Sequence, residues 1–116
     1  MTYHEDLGRL AVFSAITETK LREGRYKTID ELSLFYDAYM DSRLETLNPE
    51  ENILHEGSLK AYDCTLELIT GIMDDLDKLD ADIESKERLK ETLRRDYKKV
   101  KEMKERFSKR LSEYNA

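Results

Sequence analysis

The chain has 116 residues, 40 % of them charged and 39 % apolar, with a formal net charge of -6. One proline, four glycines and no tryptophan leave too few turn residues for an all-β sandwich or barrel. The length suits one domain, residues 1–116, and the acidic balance excludes a strong polyanion binder acting through its whole surface.

The first helix is expected over about 3–22. Tyr3, Leu7, Leu10, Ser14, Thr17 and Leu21 form one stripe, with Ala11, Phe13 and Ile16 beside it. Gly24 follows as the stop signal. Thr28-Ile29-Asp30-Glu31 then reads as a capping box, in which the Thr28 hydroxyl takes the Glu31 amide and the Glu31 carboxylate reaches back. It opens a second helix over about 28–47, with Leu32, Phe35, Tyr36, Tyr39, Met40, Leu44 and Leu47 on a wide apolar stripe. Asn48-Pro49-Glu50-Glu51 is a further start signal, and the third helix is expected over about 49–79. A break at Gly57-Ser58 is the alternative to one continuous helix. Asp80-Ala81-Asp82 connects it to the fourth helix, over about 83–114, which contains no glycine or proline.

With Ile83 at heptad position a, Tyr97 and Leu111 also fall at a, and Leu93, Val100, Phe107 and Tyr114 fall at d. Leu89 and Met103 fall at g, and lysines interrupt the seam. The expected architecture is an all-α antiparallel bundle of about four helices, the third and fourth forming a long hairpin. A fourth helix this long is expected to outrun its neighbours and expose Phe107, Leu111 and Tyr114. A second copy is the simplest cover. Leu93, Tyr97, Val100, Phe107, Leu111 and Tyr114 are therefore the candidate self-association residues, and a homo-oligomer is expected.

The net charge divides unevenly: +1 over residues 1–27, -12 over 28–82 and +5 over 83–116. At the basic end, Arg94, Arg95, Lys98, Lys99, Lys101 and Arg106 are candidates for electrostatic binding. Seven acids on the same helix weaken that field, and its aromatics lie on the apolar seam rather than where bases could stack. The acidic middle suggests the mirror image, an inhibitor that imitates nucleic acid through residues 28–82.

Chemistry-bearing patterns are poor. Asp74, Asp75, Asp77, Asp80 and Asp82 are dense, but a calcium loop begun at Asp80 has Ser85 where the turn glycine belongs. His4 and His55 have no ligand spacing between them. Glu84 with Glu87, and Glu102 with Glu105, lack the partner motif of a metal-dependent phosphohydrolase. Cys64 is the only cysteine, which rules out an intrachain disulfide and reads as a small buried hydrophobe. No stretch has the roughly 20 apolar residues of a membrane span, and the acidic N-terminus does not read as a signal peptide. The sequence thus points to a non-catalytic cytoplasmic interaction protein (an adaptor, inhibitor or assembly factor) with no cofactor and no metal. A nucleic-acid-associated regulator is the alternative.

Overall fold

The computed structural model describes residues 15–50 and 57–115. Among them there is no strand, and the all-α antiparallel bundle expected from the periodicity is the observed fold. Helical residues 15–22 are α1, Ile29–Thr46 is α2, Gly57–Leu76 is α3 and Ile83–Asn115 is α4. The expected first-helix residues 3–14, with His4, lie outside the described residues, as do 51–56, with His55.

Each boundary has a local cause. Gly24 ends α1 with φ +65°. Its amide donates to the Leu21 carbonyl at 3.3 Å, and the Arg25 amide donates to the Lys20 carbonyl at 2.9 Å. This pair of bonds satisfies carbonyls that a helix end leaves open, and a positive φ makes glycine the residue of least strain. Thr28 caps α2 by accepting from the Glu31 amide at 3.1 Å. The Glu31 carboxylate reaches one residue further back than the usual box and accepts from the Lys27 amide at 3.2 Å. Asp82 opens α4 by accepting from the Ser85 amide at 2.9 Å.

The third helix ends three residues before the expected 79, and most of its expected first turns lie outside the described residues. Asn48 accepts from the Glu50 amide at 3.0 Å, a bond of the capping type, and Pro49-Glu50 lie in a turn at the edge of the described residues. Among the described residues α3 begins at Gly57. It ends at Leu76, where the Lys78 and Leu79 amides bond three residues back and tighten the chain toward the antiparallel return.

The core lies where α2 crosses the α3–α4 hairpin. Tyr36, Tyr39, Tyr62, Ile69, Leu76, Leu93, Val100 and Phe107 are fully buried. The tyrosine hydroxyls find partners there, as buried polar groups must. Tyr62 donates to the Leu47 carbonyl at 2.9 Å, closing the end of α2. The Thr65 hydroxyl gives its proton to the Ala61 carbonyl at 2.8 Å, so Tyr39 is the donor in its 3.3 Å contact with Thr65. Tyr36 donates to the Asp96 carboxylate at 2.7 Å. Burial, and then the neighbouring carboxylate, raise the Tyr36 pKa far above the ordinary phenolic value, so it stays a donor.

The heptad phase expected for the fourth helix is rotated. Its buried residues are Leu89, Leu93, Asp96, Val100, Met103, Phe107 and Leu111. Up to Phe107 the seam therefore combines the positions assigned to d with those assigned to g, and Leu111, assigned to a, joins it at the far end. Ile83, used to set the phase, is 79 % exposed. The expected overhang is also corrected. Phe107 is fully buried, its ring centroid 5.5 Å from that of Tyr62, and Leu111 is 7 % exposed. The segment after α2 covers this end: Arg110 donates to the Pro49 carbonyl, and Arg106 pairs with Glu50 at 3.3 Å. Only Tyr114 of the three is exposed.

Candidate functional site

The hairpin has a second long side. Opposite α2, the ridges of α3 and α4 leave an open groove of about 870 Å³. On α3 the ridge is Asp63, Leu66, Glu67, Thr70 and Asp74, with Gly71 at its edge; on α4 it is Tyr97, Lys101, Lys104, Glu105 and Ser108. These spacings of three and four residues place each set along one side of its helix. Leu66 and Tyr97 are half-buried and give the groove an apolar floor. Thr70 and Ser108 are too small to fill it. A Cβ added at Gly71 meets nothing within 4 Å.

Two ion pairs join α3 to α4 along this side. Asp63 pairs with Lys104 at one end, and Asp77 pairs with Lys90 at 2.6 Å at the other. The Lys90 ammonium, by hydrogen bond and charge, holds the Asp77 carboxyl below the usual carboxylate range. Asp77 in turn raises the pKa of Lys90. The two pairs stand fourteen residues apart along each helix, or about 21 Å, and fix the antiparallel register. Between them the α3 rim carries Glu67 and Asp74 and the α4 rim carries Lys101, with Arg94 on the same side of α4. All four are exposed, and none makes an ion pair among the described residues.

The residues singled out for self-association divide between core and surface. Leu93, Val100 and Phe107 are fully buried and Leu111 nearly so, all inside the chain's own core. Tyr97 lies in the groove, and Tyr114 is exposed near the end of α4. The burial that suggested an interface is satisfied within one chain.

The six basic candidates are all exposed but do not form one patch. Arg94 and Lys101 lie on the groove side. Arg95, Lys99 and Arg106 lie on the side away from the core, interspersed with Glu91 and Glu102. Lys98 lies between them. Arg95 approaches Asp96 at 3.7 Å, and Arg106 is engaged by Glu50.

The acid-rich turn does not assemble a cation site. Asp82 caps α4, Glu84 pairs with Arg88 at 3.5 Å, and Asp77 holds Lys90. Among the described residues no group of three His, Cys, Asp or Glu side chains is placed to hold a metal. Cys64 is a free, half-buried thiol. Among the described residues, no helix is long and apolar enough to cross a membrane.

Two features were missed in the sequence. Asp96 stands three residues after Leu93 and four before Val100, so the seam spacing marks it as inward-facing despite its charge. The groove itself has no local signal, because it depends on which α3 residues stand opposite which α4 residues. Comparison with family models, with curated proteins and with solved structures finds no match for the chain.

Proposed function

We propose that this chain is a non-catalytic helical interaction protein, an adaptor, inhibitor or assembly factor, that receives a protein partner in the α3–α4 groove. The observation that carries this reading is a groove about 870 Å³ in volume with an apolar floor, left unfilled on a hairpin whose opposite side holds the buried core. A rigid concave strip between two helices suits the apolar face of another helix, with charged rims to set its orientation. The lone thiol of Cys64 fits a reducing cytoplasm. The scatter of basic side chains around α4, with acids between them, supports a protein partner over nucleic acid, which needs a continuous basic track.

Thr70→Trp tests the reading by placing an indole in the middle of the groove. Thr70 is exposed, so the variant is expected to keep its melting temperature. Affinity capture from the native host should recover a partner with the wild-type chain and lose it with Thr70→Trp. Capture that is indifferent to the substitution would overturn the groove as the working surface.

A further inference from the structure

Between the Asp63–Lys104 and Asp77–Lys90 pairs the groove's two rims carry opposite charge, Glu105 lying past Lys104, and that narrows its occupant. We infer that the occupant is a second copy of this chain, related by a two-fold axis running parallel to α3 and α4. The inference rests on the groove being the binding face and names what binds there.

The register fixed by Asp63–Lys104 and Asp77–Lys90 sets the levels. Asp63 is level with Lys104 and Asp77 with Lys90, so Glu67 stands within one residue of the level of Lys101. Asp74 likewise stands within one residue of the level of Arg94. One residue is about 1.5 Å along the axis.

When two copies face each other across such an axis, every level is kept and the rims exchange places. The acidic α3 rim of one copy then lies over the basic α4 rim of the other. Glu67 meets Lys101, Asp74 meets Arg94, and symmetry makes each contact twice. An axis running across the helices gives the reverse, acid over acid and base over base. Charge therefore selects the first arrangement and rejects the second.

The apolar floor agrees with this geometry. Leu66 and Tyr97 of both copies come to the centre of a four-helix layer, where the small Thr70 lets the ridges approach. The net charge of -6 per copy opposes association, but at physiological salt it is screened over about 8 Å, whereas pairs in contact are not.

The test is sedimentation equilibrium of the whole chain at micromolar concentration. The wild type is expected to be a dimer. Arg94→Glu with Lys101→Glu should weaken association at least about tenfold, and Glu67→Lys with Asp74→Lys should do the same. Mixing the two doubly substituted chains should restore a one-to-one dimer, a rescue that a folding defect cannot imitate. Melting curves establish that both variants are folded. A wild type that stays monomeric overturns the second copy; the groove reading survives that result if Thr70→Trp still abolishes capture of a foreign partner. A dimer unaffected by Thr70→Trp and by both charge reversals also overturns the second copy in the groove, and the groove reading itself falls only if capture is indifferent to Thr70→Trp.

Discussion

On the side of α4 that faces α2, Leu93, Val100 and Phe107 are fully buried; a fraction of a turn away, Tyr97 and Lys101 open onto the groove. One helix supplies both sides, and the neighbours make the difference. The core side receives α2, with Tyr36, Tyr39 and Met40, and the chain after it, which places Leu47 and Pro49 by the far end. The groove side receives only α3, and α3 meets it with Thr70 and with short carboxylates. Amphipathicity decides that a helix has an inside, but the number of elements packed on it decides how wide that inside is.

This contrast can be broken most sharply at Phe107. Phe107→Ala removes a fully buried ring that packs on Tyr62, and is expected to cost about 3–5 kcal/mol in urea unfolding. Tyr97→Ala, made in the half-buried groove, should cost clearly less. Equal losses would mean that the two sides are packed alike.

A smaller effect is expected from the polar contact inside the core. Tyr36→Phe takes the donor from a buried carboxylate and should cost about 1.5–3 kcal/mol. Adding Asp96→Leu should return part of that loss, because the unpaired charge then goes too. A double variant as weak as the sum of the singles would contradict the coupling.

The smallest effect comes at the hairpin turn, where Asp82→Ala removes the cap of α4. The Ser85 backbone bond holds the Asp82 carboxyl below the usual carboxylate range. A lowered folded-state pKa gives stability that is fully present above the unfolded value, about 3.9, and is lost as pH falls through the folded value. The melting temperatures of wild type and variant should therefore differ at pH 7 and converge below about pH 4. A gap that persists in strong acid would assign the effect to something other than the cap.

The local signals in the sequence located the helix ends well. Thr28 with Glu31, Gly24 and Asp82 act through bonds spanning a few residues, so a short window contains them. The phase of α4 was not legible from its first apolar residue, because Ile83 sits in the exposed first turn, beyond the reach of the core. Asp96 hid the true seam by placing a charge at an inward position, and only its pairing with Tyr36, sixty residues away, explains it. The cover over Phe107 and Leu111 was equally hidden, since it comes from the connection after α2. The groove depends on tertiary register throughout. Its rims could be counted as charges in the sequence but not set opposite each other.

The two ion pairs that join α3 to α4 impose one more condition. Asp63 and Asp77 are fourteen residues apart, as are Lys90 and Lys104. Fourteen residues of straight α-helix fall short of four turns by about 40°, or about 20° for each seven. Two straight helices would therefore rotate one pair out of line with the other. To keep both pairs on one side, α3 and α4 must coil around each other in a left-handed sense. The seven-residue spacings of Tyr62, Ile69 and Leu76 on α3, and of Leu93, Val100 and Phe107 on α4, ask for the same handedness from the core side.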